Sequence, residues 1–298
     1  MPCTRFLWLA SLLIFLLTAS SALAETPKKS SGFSKLLAER GFRSDTDIGG
    51  GPGSVALDQS KVSLCYYILY LHYDRRTFSW NQMEHLPFGN GRDEPWHNLD
   101  QLTLNLRYAA NLSAKTKYFV SLGVSECFEK WADRLHDYNY IGGFQYKIGE
   151  TSQVLIGFAA WDNPVEPFII PIVGFQWEPN SKPGDPGTGV SATIGYPRTN
   201  VNYRFNDRIE ASLGIAMDRV MYKLSEDNTA RPGGYVELFD VYSGLYLNYT
   251  PIEDLTLVFG MRYYTDRSFR LYDRDSGDRT EYQINDGWGG VIKLEYAF

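Results

Sequence analysis

The segment Gly289-Gly-Val-Ile-Lys-Leu-Glu-Tyr-Ala-Phe298 decides the fold class of this chain. Its apolar and polar residues alternate, and its last residue is an aromatic with nothing after it. Chain ends usually have few neighbours to pack against, so an apolar strand in this position indicates that another strand pairs with it. In a closed β-barrel the last strand pairs with the first. The segment therefore favours a barrel whose wall is completed by its own C-terminus.

The same period of two recurs along the chain, in residues 102–108, 140–148, 209–218, 245–249 and 255–263. In each segment one face is apolar and the other is polar, small or charged. A soluble β-sandwich buries such an apolar face, whereas a transmembrane barrel turns it towards lipid. The alternation alone does not separate these two folds.

The lengths of the connections do separate them. Short connections are expected at residues 110–115, 149–152, 206–208 and 250–254, and they alternate with long polar ones at 74–98, 126–137, 224–234 and 271–281. Tight periplasmic turns opposite longer outer loops are typical of membrane barrels. Most segments also have the ~9 to 11 residues that a tilted strand needs to cross a bilayer. The pattern predicts an all-β, antiparallel transmembrane β-barrel.

Twelve strands fit the length of the barrel region best, and ten or fourteen are the alternatives. Ten strands would result if residues 162–188 formed one folded loop, but 168–177 is too apolar for that. The predicted strands lie near residues 61–73, 99–109, 116–125, 138–148, 152–161, 167–177, 189–196, 199–205, 208–223, 235–249, 255–269 and 283–298.

The N-terminal residues are predicted to lie outside the barrel. Arg5, an apolar run from Phe6 to Leu17 and the small-x-small site at Ala22–Ala24 are typical of a cleaved signal peptide, which assigns residues 1–24 to export. Residues 25–60 are polar and rich in glycine, which predicts a periplasmic extension before a barrel of residues 61–298. This extension is expected to be a disordered leader, or alternatively a plug or partner-binding segment with a short helix starting at Ser34.

The C-terminal segment also carries a family resemblance. Ile292, Leu294, Tyr296 and Phe298 resemble the assembly signal of Gram-negative outer-membrane β-barrel proteins. The segments PIVGFQW (171–177) and IGYPRTNVNYRFND (194–207) resemble outer-membrane barrels of unknown function, and no functional residues follow from them. The resemblance implies an outer-membrane location, contact with membrane lipid and lipopolysaccharide, and recognition of the last strand by the barrel-assembly machinery.

The polar faces of the predicted strands supply the candidate lumen residues. Four are basic and four are acidic, so their charges cancel: Arg107, Lys147, Arg262, Lys293, Glu210, Asp218, Asp240 and Glu295. A balanced set facing a narrow lumen is expected to form internal salt bridges. The aromatic-rich loop 74–98 is expected to fold inward and narrow the lumen further.

These features predict a passive or gated conduit for a small solute. The alternatives are a structural or surface-interaction barrel with a closed lumen and, third, a lipid-modifying enzyme at the outer rim. The four histidines, His72, His85, His97 and His136, match no hydrolase motif, so no catalytic residue is assigned.

The remaining chemistry of the sequence is sparse. Asp273, Asp275 and Asp278 surround a glycine turn, which indicates a hairpin tip or, less strongly, a divalent-cation site. Cys65 and Cys127 remain after export and are expected either as free thiols or as a disulfide. The formal net charge of −6 argues against nucleic acid as a partner, and no motif indicates a cofactor.

Overall fold

The structure is a computed structural model, and it describes residues 34–179 and 188–298. The predicted signal peptide lies outside the described residues. The described part of the chain contains no helix long and apolar enough to cross a membrane.

Within the described ranges, alternating sequence segments form fifteen β-strands, and Met83–His85 form one short 3-10 helix. The strands are β1 (Ser34–Asp47), β2 (Ser54–Tyr66), β3 (Leu69–Asn81), β4 (Asn98–Asn111), β5 (Thr116–Phe128), β6 (Leu135–Lys147), β7 (Ser152–Asp162), β8 (Phe168–Trp177), β9 (Gly189–Tyr196), β10 (Arg198–Asn206), β11 (Ile209–Lys223), β12 (Tyr235–Ile252), β13 (Leu255–Tyr272), β14 (Arg279–Ile284) and β15 (Gly287–Ala297).

The strands form one closed antiparallel barrel. Each strand from β1 to β13 pairs with its neighbour in sequence, and β15 closes the ring by pairing with both β13 and β1. Among the described strands, β14 pairs along its length with an extension of β13 and meets the end of β1 at a bridge between Ile284 and Ile48, so the other fourteen strands form the wall. The backbone N–H of Phe298 donates to the carbonyl oxygen of Ser34 at 3.0 Å, which joins the two ends of the described chain.

The prediction of twelve strands is therefore wrong, and both missing strands lie near the N-terminus. Strand β1 and the first part of β2 come from the residues predicted as a periplasmic extension, so the barrel starts before residue 61. The predicted strand 61–73 is instead two strands joined by a tight turn at Tyr67, whose φ is 52°. The turn contains no Gly, Pro, Asn or Asp, the residues that usually mark one.

The barrel has a loop end and a terminal end, names that are kept below. The terminal end contains both ends of the described chain and the tight turns after β2, β10 and β12. The connection between β8 and β9 is the long one at this end, and its residues 180–187 lie outside the described part. The loop end contains the longer connections, including residues 82–97 and 224–234.

The exterior of the wall is a belt of exposed apolar side chains. Leu245 and Leu247 on β12 are 60% and 46% exposed, while the intervening Tyr246 faces the lumen and contacts Arg262. Ile292, Leu294 and Tyr296 on β15 also face outward. An apolar exterior around a polar interior is the arrangement of a transmembrane barrel, so the predicted outer-membrane barrel is confirmed.

Candidate functional site

The lumen at the terminal end contains a polar chamber with a volume of about 410 Å³. Residues of seven strands, β1, β2, β10 to β13 and β15, supply its walls. They are Glu39, Lys61, Arg198, Thr199, Asn200, Asn202, Glu210, Ser212, Gly214, Ile215, Ala216, Tyr242, Tyr246, Asn248, Val258, Arg262, Val291, Lys293 and Glu295.

One wall of the chamber is ionic. Glu39 accepts from Arg262 at 3.5 Å and lies 3.8 Å from the Lys61 ammonium. Arg262 also donates to the Tyr246 hydroxyl at 3.0 Å and lies 4.9 Å from the centre of the Tyr242 ring. These mixed contacts fix the long side chains against the wall and leave little free charge there.

The opposite wall is rich in amides. Asn248 donates to Ser212 at 3.1 Å and to Glu210 at 3.2 Å, while Asn200 donates to Asn202 at 3.1 Å. Amide and hydroxyl groups both donate and accept hydrogen bonds, so this wall can bind the polar groups of a small solute.

A layer of buried charges lies above the chamber, towards the loop end. Asp240 pairs with Arg43 and, at 3.1 Å, with Arg267. All three of these side chains are less than 10% exposed. Buried ions are tolerated only when they are paired, so these ion pairs form a fixed part of the lumen.

A second part of the same layer centres on Arg76. Its guanidinium pairs with Asp218 at 2.8 Å and with Asp74 at 3.3 Å. Gln59 completes the coordination of Asp74 with an amide donor at 2.8 Å. Three arginines and three aspartates therefore balance across the layer, and Asp218 and Asp240 among them are predicted lumen residues.

An aromatic core fills the lumen at the loop end. Phe78, Trp80, Phe88, Trp96 and Phe269 contact one another with ring centroids 5.0 to 6.2 Å apart. We call these five residues the aromatic plug. All five are buried, at 1 to 7% exposure, and the loop between β3 and β4 supplies two of them. The expectation that this aromatic segment folds inward is confirmed.

A direct contact between two distant strands narrows the loop end further. Lys223 of β11 forms a parallel bridge with Phe128 of β5, and the Glu129 amide donates to the Lys223 carbonyl oxygen at 2.9 Å. Strands β6 to β10 lie between β5 and β11 in the wall and contribute nothing to the buried core around the aromatic plug. The bridge thus separates the plugged side of the lumen from the inner face of β6 to β8.

The structure distributes the predicted lumen residues over these layers. Glu210, Arg262, Lys293 and Glu295 line the chamber, and Asp218 and Asp240 belong to the buried charged layer. Arg107 lies over the Tyr70 ring, 3.6 Å from its centre, and Lys147 lies at the terminal end of β6. The sequence did not predict four of the charged lumen residues, Arg43, Asp74, Arg76 and Arg267. Arg43 lies in the segment predicted as an extension, and Asp74 and Arg76 lie in the segment predicted as a loop.

Among the described contacts, no histidine is held between a nucleophile and an orienting group. The His72 Nδ1 and the Ser63 hydroxyl are 2.8 Å apart inside the barrel, near the terminal end. A nucleophilic serine also needs a third group that orients the histidine, and no described side chain donates to or accepts from the other ring nitrogen. His97 and His136 pair with Glu94 and Glu126 in the outer region.

The aspartate turn is held by contacts within the protein. The Asp273 carboxylate pairs with Arg231 at 2.9 Å, and the Asp273 backbone carbonyl oxygen accepts from the Ser276 amide at 2.9 Å. Among the described residues no three acidic, histidine or cysteine side chains converge as metal ligands. Cys65 and Cys127 are both free, near opposite ends of the barrel.

Comparisons with known proteins find the barrel architecture and no close relative. No family model and no curated protein sequence matches the chain. An outer-membrane channel from Pseudomonas putida F1 is similar over 92% of this chain and 100% of its own, with 10% identity and a TM-score of 0.43. The NanC porin is similar over 88% and 100%, with 12% identity and a TM-score of 0.41. The KdgM porin in complex with disordered oligogalacturonate covers 87% and 99%, with 7% identity and a TM-score of 0.35. Similarity at this level assigns no solute to this chain.

Proposed function

We propose that the protein is a gated conduit for a small solute. The observation that carries this proposal is the layered lumen, in which a polar chamber of about 410 Å³ lies below a charged layer and an aromatic plug. A barrel that served only as a scaffold would not require an unfilled polar space. The plug indicates that the structure represents the closed state.

The loop between β3 and β4 is the element best suited to act as the gate. It contributes Phe88 and Trp96 to the aromatic plug, yet its neighbouring residues 89–94 lie at the surface. Its attachment is local: Asn228 donates to the Pro95 carbonyl oxygen at 2.5 Å, and Trp80 donates to that of Trp96 at 2.6 Å. A loop held by few polar contacts can move without breaking the strand ladder of the wall.

Conductance in planar bilayers tests the gate. Replacing residues 84–94 with a short Gly-Ser linker removes Phe88 and loosens Trp96, so we expect conductance to rise from near zero to resolved steps. Shortening the hairpin tip at residues 274–277, which is outside the plug, is the matched control and should leave the wild-type trace unchanged. A folded 84–94 variant that stays as silent as the wild type would favour a structural barrel with a closed lumen.

The contacts with other components of the outer membrane are also proposals. The outward side chains of Ile292, Leu294, Tyr296 and Phe298 lie on the strand that closes the ring. Their position supports recognition by the barrel-assembly machinery before closure, when this strand still has a free edge. The exposed charged loops support contact with lipopolysaccharide at the loop end.

A further inference from the structure

The barrel wall has a side gap between β8 and β11, above the short hairpin that β9 and β10 form. Strand β8 pairs with β9 only from Val173 onward, so Phe168–Ile172 have no partner on that edge among residues 34–179 and 188–298. Strand β11 pairs with β10 only as far as Ala216, opposite Arg198, so in the same described ranges Met217–Tyr222 lack a partner on the facing edge. Two strand edges therefore face each other without backbone hydrogen bonds between them.

Side chains bridge the top of the side gap instead. The Arg219 guanidinium lies 3.9 Å from the centre of the Phe168 ring and donates to Glu166 at 3.0 Å. Glu166 also accepts from the Tyr272 hydroxyl at 3.0 Å. Separating these side-chain contacts requires much less free energy than breaking the backbone hydrogen bonds between two paired strands. The top of the side gap can therefore open.

The lower edge of the side gap lies within the depth of the bilayer. Strands β9 and β10 have 8 and 9 residues, compared with 18 in β12 and β13. At ~3.3 Å per residue and a tilt of about 40°, eight residues rise roughly 20 Å, less than the apolar band of about 25 Å. The hairpin tip at Tyr196–Arg198 thus ends below the outer boundary of the hydrocarbon, and the gap opens towards lipid.

The inner surface beside the side gap is apolar, unlike the walls of the polar chamber. The residues of β8 that face outward, Ile169 and Val173, are 72% and 53% exposed. The alternate residues Phe168, Ile170 and Ile172 face inward, where Trp161 stacks on Phe168 with ring centres 4.7 Å apart. Strand β8 is therefore apolar on both faces, a pattern that a water-filled lumen does not require.

A positively charged side chain, that of Arg198, lies at the lower edge of the side gap. Arg198 is exposed and lines the polar chamber together with Ile215 and Ala216. Among the described residues no carboxylate pairs with Arg198, whereas Glu39, Glu210 and Glu295 all have basic partners. An apolar wall that leads down to an unpaired arginine suits a molecule with an apolar tail and an anionic head.

We infer that the side gap is a lateral entrance through which a small amphipathic carboxylate passes between the membrane and the chamber, with its tail along β8 and its head at Arg198. The inference rests on the conduit function proposed above and assigns it a route and a solute class. The aromatic plug then closes the axial route while the wall provides the lateral one.

Cysteine labelling tests the lateral entrance. In a background with Cys65→Ala and Cys127→Ala, Ile170→Cys places a thiol on the inner face beside the gap. In reconstituted vesicles we expect a membrane-soluble pyrene maleimide to label it at least tenfold faster than a charged, water-soluble thiosulfonate. Gln145→Cys, inward-facing near the terminal end of β6, is the control and should show the reverse preference. Ile172→Cys repeats the test if Ile170→Cys fails to fold, as judged by heat modifiability.

Protection by a ligand tests the solute class in the same assay. Octanoate should slow labelling of Ile170→Cys several-fold, and Arg198→Gln should abolish this protection, whereas Arg40→Gln on the exterior should not. Equal protection by octanol, or protection that survives Arg198→Gln, would overturn the anionic head group. Labelling of Ile170→Cys by the water-soluble reagent alone, or by neither reagent, would overturn the lateral entrance. That result would leave the conduit proposal to the separate conductance test.

Discussion

The two ends of the lumen are built from the same alternating strands and are filled in opposite ways. At the terminal end, inward side chains such as Asn200, Ser212 and Arg262 leave a polar chamber. At the loop end, Phe78, Trp80 and Phe269 occupy the same inward positions further along the strands and pack into a core. The difference shows that alternation fixes which face is internal, while the size and polarity of the internal side chains decide whether the lumen is open.

Strand length explains why the two ends differ. A tilted crossing needs ~9 to 11 residues, and β12 and β13 each have 18. The additional residues of these strands project beyond the bilayer at the loop end, where apolar inward side chains can form a core like that of a soluble domain. Strands β9 and β10 have no surplus, so no such core forms above them.

The largest expected effect is the difference in stability loss between a substitution in the packed loop end and one in the chamber at the terminal end. Trp96 is 1% exposed and contacts four other aromatic rings, so Trp96→Ala should lower the free energy of unfolding by ~3 to 5 kcal/mol. Tyr246→Ala removes a ring that faces the chamber and should cost about 1 kcal/mol for its hydrogen bond. Urea titration of the heat-modifiable band measures both values, and similar losses for the two variants would contradict the contrast between the ends.

Substitutions on the outer face of the wall should lower the free energy of unfolding by a smaller amount. This amount depends on the depth of the residue in the bilayer and not on which end of the lumen lies behind it. Leu245 is 60% exposed on the outer face of β12, well inside the strand. Leu245→Arg should therefore cost ~2 to 4 kcal/mol, while Leu257→Arg, close to the terminal end of β13, should cost ~0 to 1 kcal/mol. Both variants are compared by the same unfolding titration in lipid. A soluble-sandwich core would instead penalise both positions heavily.

The alternation in the sequence predicted most strands of the wall, but it did not predict where the wall begins or where the first strands are divided by a turn. Leu102, Leu104 and Leu106 alternate with polar residues and form β4 as expected. Strand β1 was missed because Arg40 lies on its outer face and Leu37 on its inner face, which obscures the alternation. The turn at Tyr67 was missed because its backbone strain is not visible in residue types, and it lies within a continuous apolar run.

The candidate site was predicted in its chemistry but not in its arrangement. Balanced charges and an inward aromatic segment follow from composition, and both are present. The pairing of Arg43 with Asp240 joins residues 197 positions apart, and the bridge between Lys223 and Phe128 links strands that are not neighbours in the wall. Neither contact follows from local periodicity, because each depends on how the ring closes and where it is narrowed.

The central claim is that the lumen is open at the terminal end and closed at the loop end. The accessibility of a thiol in the chamber tests this claim most directly. Ser212→Cys, in a background without Cys65 and Cys127, places a single thiol in the polar chamber. Asp227→Cys, on an exposed outer loop, is the control for access from the loop side. A charged, water-soluble thiosulfonate added from the loop side should label Asp227→Cys and leave Ser212→Cys unmodified, whereas addition from the terminal side should label Ser212→Cys. Rapid labelling of Ser212→Cys from the loop side would contradict the closed aromatic plug.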